Sequence, residues 1–388
     1  MIKVGIIGCG YAGARFLRTF LIRKKICSDV EVLSVCDKNM DRLNLPRKLG
    51  INICTNISEM FKNTNFDIIV VATNEKWRFE VFKELLAYKN RFKKIISEKL
   101  LTETLEQSNE LLNRYKDNEI SVHFIERCSN VVCQLYNWIN DNDLSVRRAT
   151  FFWGKNRLYD HRPTIGVISE ISHPIDMILF LANISPGSNF EIIRGNYVFS
   201  NYSYPGKKLL ETINVNLKFD KGLFINGNSS FLWNARDRRV NLFLSKKQDE
   251  CVSYIANIKF DSPSWDNDSC DILKIDPKTS SLIHIKSFTV NSNEINPDLE
   301  HIFKMYSFIC KNIHELFYNN GFVDPFIARL SQAHFVQKIV TEILSDATKN
   351  GVFVPSFNDL EPNMDAAKKY EDNVFKLINL GTKAPDFD

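Results

Sequence analysis

The sequence predicts an α/β domain with a parallel sheet, followed by an α+β domain with a large, mostly antiparallel open sheet. Its 388 residues exceed the usual size of one domain. Apolar strand-like segments alternate with helical segments as far as about residue 125, and strand-like segments separated by turn residues dominate afterwards. We therefore place one domain at residues 1–125 and a second at 126–388, with C-terminal helices that could pack back on the first.

A glycine-rich turn follows the first predicted strand, Ile2 to Ile7, with the spacing GxGxxG. Such glycines allow a tight bend, a close approach of a pyrophosphate and close packing of the next helix on the sheet. That helix, predicted over residues 14–25, would point its N-terminal N–H groups at the phosphates. The candidate cofactor-binding residues of this turn are Gly8, Gly10, Tyr11, Ala12 and Gly13.

An acid after the second predicted strand supports a dinucleotide site. The strand covers Val30 to Cys36 and is followed at once by Asp37. A carboxylate there would accept hydrogen bonds from both ribose hydroxyls and repel a 2′-phosphate, which favours NAD. Lys38 could instead pair with the 2′-phosphate of NADP. The predicted cofactor is NAD or NADP, with NAD slightly favoured.

The rest of the first domain repeats the strand and helix pattern. Strands are predicted at 66–73, 94–97 and 122–125, and helices at 77–88 and 102–115. Such alternation predicts right-handed βαβ units and a parallel sheet covered on both faces. Ligands bind at the carboxyl ends of such strands. The residues expected there are Thr73, Asn74, Glu98 and Lys99.

In the second domain strand-like segments predominate, and a sheet with one face open to a substrate or a second subunit is predicted. Helices are predicted at 171–181, 299–318 and 324–345. The predicted strands are 145–153, 190–199, 211–219, 222–232, 239–245, 252–260 and 282–288.

Composition narrows the classes of partner. With 50 basic and 46 acidic residues the net charge is only +4, which gives no electrostatic reason to expect nucleic-acid or membrane binding. The nine cysteines form no CxxC pair, which favours reduced thiols in a cytoplasm over a metal site or a disulfide framework. We expect a cytoplasmic protein that binds a small-molecule substrate and no metal.

Four segments resemble one known family. They are GIIGCGYAG near the start, VVATNEKWRFEV after the third predicted strand, SEKLL at 97–101 and SEISHPIDMILFL at 169–181. A weaker match lies in ARLSQAHFVQKIVTEILSDATKNG. The chain resembles the glucose-fructose oxidoreductase and inositol dehydrogenase family (Gfo/Idh/MocA). The resemblance implies an N-terminal Rossmann domain, an NAD(P) cofactor and a homodimer or homotetramer formed through sheet faces.

The resemblance also implies catalytic residues. The family's EKP motif stands here as Glu98-Lys99-Leu100, so Lys99 is expected beside the nicotinamide and the substrate oxygen. An ammonium group there would stabilise a developing alkoxide. The alternative is an ordinary surface lysine paired with a glutamate.

The family's helical DxxxHxxD pattern is only partly retained. His173 and Asp176 match its last positions, while Ser169 replaces the first acid and Glu170 follows it. His173 is the candidate proton donor or acceptor, because its ordinary pKa lies near neutrality, although a structural histidine is the alternative. Ser169 and Glu170 are the candidate members of a proton relay, but on a regular helix Glu170 would lie about 100° from the face of Ser169.

A polar and aromatic segment, WGKNRLYDHRPT, precedes this helix. Its cations could bind an anionic substrate group, although a solvated loop is the alternative. The candidate substrate-binding residues are Trp153, Lys155, Arg157, His161, Arg162 and Asp176. Arg127 is interpreted as structural or adjacent to the cofactor.

Three functional hypotheses follow. The first is NAD(P)-dependent hydride transfer at a C–OH or C=O carbon of a sugar, cyclitol or nucleotide-sugar. The second is reduction of a C=N bond in a specialised biosynthetic pathway, suggested by the missing acid at Ser169. The third is a non-catalytic nucleotide-binding or scaffold protein.

Overall fold

A computed structural model describes residues 1–158, 164–203, 207–290, 299, 301–317 and 323–355. Its helices are α1 (Tyr11–Cys27), α2 (Asn44–Lys48), α3 (Ile57–Phe61), α4 (Glu75–Leu85), α5 (Leu105–Arg114), α6 (Asn130–Asp141), α7 (Ile168–Leu181), α8 (Phe303–Phe317) and α9 (Leu330–Asn350). Its strands are β1 (Ile2–Ile7), β2 (Val30–Cys36), β3 (Asn52–Cys54), β4 (Ile68–Val71), β5 (Lys94–Ser97), β6 (Ile120–Val122), β7 (Leu144–Asn156), β8 (Phe190–Ser200), β9 (Leu209–Phe219), β10 (Phe224–Ser230), β11 (Leu232–Lys246), β12 (Tyr254–Phe260), β13 (Ser269–Ile275), β14 (Leu282–Thr289), β15 (Ala328–Arg329) and β16 (Val352–Val354).

These residues form two compact units. The first contains residues 1–125 and the described part of 296–337, and the second contains 126–290 and 338–355. Helix α9 therefore begins in the first unit and ends in the second.

The first unit contains a seven-stranded sheet within the described residues, in the order β15-β6-β5-β4-β1-β2-β3. Its pairs are parallel except for β15, which is antiparallel to β6. Every residue of β4 and β5 is buried, as expected for strands covered on both faces. The predicted parallel α/β fold is confirmed.

Two predicted strands of this sheet are shorter than expected. Strand β4 occupies only Ile68–Val71, and the last one ends at Val122 instead of extending to residue 125. There the N–H of Phe124 donates to the carbonyl of Val122, which turns the chain into a short 3-10 helix at Ile125–Cys128. The predicted strand at 122–125 was therefore misplaced.

The glycine turn needs glycine at two positions for different reasons. Gly8 has a φ of +91°, and a Cβ there would lie 2.8 Å from the carbonyl carbon of Ala72. A Cβ on Gly13 would lie 1.8 Å from the carbonyl oxygen of Gly8, so only glycine lets α1 approach the turn this closely. The carboxyl ends of β1, β2, β4 and β5 share one edge of the sheet, because these strands are parallel.

A late segment of the chain completes the first unit. Helix α8 packs against α1, and β15 pairs with β6. The buried Lys94 ammonium lies 3.3 Å from Glu315, whose carboxylate also meets Arg329 at 2.5 Å. These contacts attach α8 and β15 to the rest of the first unit.

The second unit contains a nine-stranded sheet within the described residues, in the order β14-β13-β12-β11-β7-β10-β9-β8-β16. Most pairs are antiparallel, while β7 with β10 and β8 with β16 are parallel. The mostly antiparallel sheet is confirmed. The predicted segment 239–245 is the end of the longer β11, which contains a bulge between Leu232 and Asp237. Helix α6 and strand β13 were not predicted.

Candidate functional site

The N-terminus of α1 is suited to an anion. Its N-cap is Gly10, and within the described residues it has no side-chain cap and no acid in its first turn. A Cβ on Gly10 would meet only Arg42 Nη1, at 3.7 Å. Tyr11 and Ala12 are the first residues of the helix, and the Arg15 guanidinium lies 5.8 Å from the Tyr11 ring centroid. The backbone N–H groups of this turn can therefore receive a pyrophosphate.

Asp37 fixes the glycine turn. Its Oδ2 accepts a hydrogen bond from the Cys9 N–H at 2.6 Å, and its Oδ1 accepts one from the Asn39 N–H at 2.8 Å. Arg42 Nη1 lies 3.9 Å from Oδ2, a neighbour that the sequence pattern did not indicate. Lys38 is exposed and its Nζ lies 5.5 Å from the ring centroid of Trp77.

The loop after β4 contains two predicted cofactor residues. Thr73 Oγ1 is buried and has no hydrogen-bond partner among the described residues, so it is available to a ligand. Asn74 is the N-cap of α4, and its Oδ1 accepts a hydrogen bond from Lys76 N–H at 3.1 Å. The buried Arg78, which sequence reasoning missed, donates to the carbonyls of Thr73 and Leu100 and so joins the loops after β4 and β5.

Glu98 and Lys99 directly follow β5. Glu98 Oε1 lies 2.8 Å from Nδ1 of His123, a second residue that sequence reasoning missed. Burial would raise the pKa of Glu98, but His123, Arg78 and Lys99 together hold it below the ordinary value. Lys99 is half-buried, and the Lys99–Leu100 peptide is cis.

These features fit a dinucleotide cofactor. The uncapped helix start, the open face of Gly10 and the unpartnered Thr73 Oγ1 all lie in segments that follow β1 or β4 in the parallel sheet. Asp37 follows β2, at the position suited to a ribose. The N–H groups of Gly8 and Cys9 already donate to Cys36 and Asp37, so residues 10–13 would hold the pyrophosphate and Asp37 the adenosine ribose.

In the second unit, the neighbouring residues Ser169 and Glu170 of α7 make different contacts. Ser169 Oγ donates to the carbonyl of Gly166 at 3.1 Å, whereas the Glu170 carboxylate lies 3.5 Å from Lys155 Nζ and 3.3 Å from Arg238 Nη2. The Glu170 carboxylate thus lies between two cations, while the Ser169 hydroxyl is bonded to the backbone. His173 is half-buried, and its ring is nearly parallel to that of Trp153, with the centroids 6.3 Å apart.

Arg238, on β11, is the central cation of this cluster. Its guanidinium contacts the carboxylates of Glu126 at 3.7 Å, Glu170 at 3.3 Å and Asp261 at 2.7 Å. It also lies 4.8 Å from the ring centroid of Trp153. Burial would lower the pKa of Arg238, but the three carboxylates raise it above its ordinary value, so the side chain remains charged.

Two predicted substrate-binding residues are occupied by internal contacts. Asp176 is 1% exposed and makes a bidentate ion pair with Arg127, at 2.6 and 2.7 Å. Burial raises the pKa of Asp176 more than Arg127 lowers it. Trp153 is also 1% exposed. These placements leave both side chains little surface for a substrate, and they pair Arg127 with Asp176 inside the second unit.

The remaining candidates come from the end of β7 and the loop after it. Lys155 is half-buried beside Glu170, while Arg157 is buried with its guanidinium 4.9 Å from the Phe231 ring centroid. His161 and Arg162 lie outside the described residues.

Metal clusters and membrane-spanning helices are the other kinds of feature that bear on function. Within the described part of the chain, no group of three or more His, Cys, Asp or Glu side chains is arranged to hold a metal ion. Over the same residues, no helix combines the length and apolar character needed to cross a membrane.

Comparisons with known proteins agree with this architecture. Residues 2–124 match the family model GFO_IDH_MocA, described as an oxidoreductase family with an NAD-binding Rossmann fold. The sequence matches no curated protein. Solved structures with a similar fold include the transcriptional regulator Gal80p from Kluyveromyces lactis, with a TM-score of 0.68 and 12% identity over 90% of this chain and 93% of that one.

Two dehydrogenases are similar to the same degree. UDP-N-acetylglucosamine 3-dehydrogenase GnnA from Acidithiobacillus ferrooxidans has a TM-score of 0.66 and 13% identity, over 90% of this chain and 98% of that one. A myo-inositol dehydrogenase from Corynebacterium glutamicum has a TM-score of 0.65 and 14% identity, also over 90% and 98%. At such identities the likeness concerns the fold. The family match covers residues 2–124, so it identifies the N-terminal segment as an NAD-binding Rossmann fold of the kind found in the GFO_IDH_MocA oxidoreductases.

Proposed function

We propose that the protein is an NAD(P)-dependent oxidoreductase that transfers a hydride to or from a C–OH or C=O carbon of a sugar, cyclitol or nucleotide-sugar. The observation that carries this proposal is the Glu98-Lys99 pair directly after β5, in the same parallel sheet as the glycine turn and Asp37. The GnnA enzyme and the myo-inositol dehydrogenase are named for substrates of these classes.

The glycine turn and Asp37 would hold the dinucleotide, and its nicotinamide would supply a hydride acceptor for oxidation of the substrate carbon and a hydride donor for reduction. Lys99 would donate a hydrogen bond to the substrate oxygen and stabilise the negative charge that develops there. His173 would accept the hydroxyl proton, and it would return that proton during reduction. The C–H and O–H bonds break, and the C=O bond forms.

Glu170 is the proposed partner in the proton relay. Lys155 and Arg238 hold its carboxylate at 3.5 and 3.3 Å, whereas the Ser169 hydroxyl donates to a backbone carbonyl. The exposed part of Lys155 is the proposed contact for an anionic substrate group, together with Arg157. Because their structure is not described, His161 and Arg162 remain sequence-based candidates for the same role.

NAD is the proposed preferred cofactor, because a 2′-phosphate beside Asp37 would meet a carboxylate. Arg42, 3.9 Å from that carboxylate, offsets part of this repulsion. We expect NADH to bind more tightly than NADPH in fluorescence titrations of the wild-type protein. Tighter binding of NADPH would assign Arg42 and Lys38, and not Asp37, as the groups that set the preference.

Replacement of Lys99 by Ala tests the catalytic assignment. We expect kcat to fall by at least about a hundredfold, because a charge-stabilising donor is lost, while the Kd for NADH changes little. Lys93→Ala is the matched control, since Lys93 lies close by in the chain but is exposed and paired with Asp67 at 2.8 Å. Full activity of Lys99→Ala with a substrate found by screening would remove Lys99 from the mechanism.

Two alternative functions are tested by screening the purified protein and NAD(P)H against a panel of candidate substrates. Ser169 in place of the acid favours C=N reduction, so cyclic imines belong in the panel beside keto-sugars and cyclitols. The fold shared with Gal80p, a transcriptional regulator, favours a non-catalytic nucleotide-binding role. Tight NADH binding with no hydride transfer to any member of the panel would support that second alternative.

A further inference from the structure

Within the described residues, the buried His123 forms a side-chain hydrogen bond with Glu98. It lies just after β6, is 4% exposed, and its Nδ1 is 2.8 Å from Glu98 Oε1. The rings of Phe16 and Phe308 flank it, each with its centroid 5.0 Å from that of the imidazole. Nε2 is buried with no hydrogen-bond partner among the described residues.

The direction of this hydrogen bond follows from the two groups. The pKa of Glu98 is held below its ordinary value, so near neutral pH its carboxylate is ionised and can only accept. Nδ1 of His123 therefore carries the hydrogen. A donor packed against two phenyl rings has little freedom to turn away, so the bond fixes the carboxylate of Glu98 in one place.

The backbone on both sides of Lys99 is fixed as well. The N–H of Glu98 donates to the Val71 carbonyl at 3.0 Å, and Ser97 Oγ donates to the carbonyl of Glu98 at 2.9 Å. Beyond Lys99, the Leu100 carbonyl accepts from Arg78. The side chain of Glu98 is held in the same segment by its hydrogen bond with His123.

We propose that His123 is a positioning residue that holds the carboxylate of Glu98, the acidic neighbour of Lys99 in the segment after β5, in a single orientation. This inference rests on the proposed role of Lys99 in hydride transfer. It assigns a function to a histidine that lies outside the recognised sequence motifs. A histidine that only fills space between Phe16 and Phe308 would be replaceable by an apolar side chain of similar size.

Two variants separate orientation from packing. His123→Leu keeps the apolar contacts and removes the donor, while His123→Asn keeps a donor near the position of Nδ1. Ser121→Ala is the matched control, because Ser121 is also buried in this part of the chain and its Oγ has no hydrogen-bond partner among the described residues. Thermal unfolding of each variant shows whether it is folded.

The first measurement needs no substrate. The Glu98 carboxyl carbon is followed by ¹³C NMR in glutamate-labelled protein, with Glu98→Gln to assign its signal, and the pH midpoint is recorded. We expect the midpoint to rise in His123→Leu and to stay near the wild-type value in His123→Asn and Ser121→Ala, since the bond to the charged form is lost only in the first. An unchanged midpoint in folded His123→Leu would overturn the proposal.

The second measurement uses kinetics. In His123→Leu we expect kcat to fall about tenfold or more while the Kd for NADH stays within about threefold, and His123→Asn should recover most of the loss. If His123→Asn is as impaired as His123→Leu, the hydrogen bond is not responsible and the proposal fails. A wild-type protein without any hydride transfer would instead refute the proposed function, while the NMR result would still report on the His123 to Glu98 bond.

Discussion

At the scale of single residues, Arg238 is the clearest case of a side chain whose neighbours determine its role. A buried guanidinium is unfavourable unless it is paired and hydrogen-bonded. Here one cation meets three carboxylates, those of Glu126, Glu170 and Asp261, which are distant from it in sequence. Since Glu170 is the proposed relay acid, Arg238 also fixes the position of a group in the candidate site.

Replacing Arg238 by Met should lower the free energy of unfolding by about 3–5 kcal/mol, because the three carboxylates lose their shared cation. Urea unfolding measures this change. Arg239→Met is the matched control, since Arg239 is the next residue on β11, is half exposed and forms a surface ion pair with Asp237 at 2.8 Å. We expect a change of less than about 1 kcal/mol for it. Equal losses in the two variants would show that the network contributes nothing specific.

At the scale of elements, the junction of β1 and α1 depends on backbone approach. Gly13→Ala should cost about 1–3 kcal/mol, because its Cβ would overlap the Gly8 carbonyl and push α1 away from the turn. NADH binding should weaken with it, since α1 begins at the predicted pyrophosphate position. Gly187→Ala is the control, as a Cβ there has no neighbour within 4 Å. Unchanged NADH affinity in Gly13→Ala would contradict this account of the turn.

Elements with one strong local signal could be predicted from the sequence. Strands β1, β2 and β5 have the predicted bounds, because each is a short apolar segment ended by a turn or a polar residue. Strand β13 was missed, since its polar residues weaken the alternation. Arg238 and His123 could not be found either, because their partners are contributed by residues distant in sequence.

At the scale of the whole molecule, distant parts of the chain meet around a buried ion network. Lys94 is only 2% exposed beside Glu315, and burial lowers its pKa from 10.5 to about 8. Between these two values the unfolded chain retains a proton that the folded protein has lost. Burial of the charged Lys94 therefore destabilises the folded state most below pH 8, and this destabilisation disappears as the pH rises towards 10.5.

Lys94→Met should accordingly stabilise the protein by roughly 2–3 kcal/mol at pH 7, with a gain that shrinks as the pH approaches 10. Glu315 keeps its contact with Arg329 at 2.5 Å in this variant. Urea unfolding of wild type and variant at several pH values gives the difference directly. Lys93→Met, at an exposed lysine, should show a difference that does not change with pH. If Lys94→Met differed from wild type by the same free energy of unfolding at every pH, burial would not be the cause of a lowered Lys94 pKa.

The pairing of β15 with β6 also has a consequence during synthesis. Ala328 pairs with Val122 but leaves the ribosome 206 residues later. At a synthesis rate of about 5–20 residues per second, β15 is made roughly 10–40 s after β6. During this interval the outer N–H and C=O groups of β6 have no strand beside them and can pair with another chain. The newly made protein thus passes through a period of exposure to aggregation that its finished sheet no longer shows.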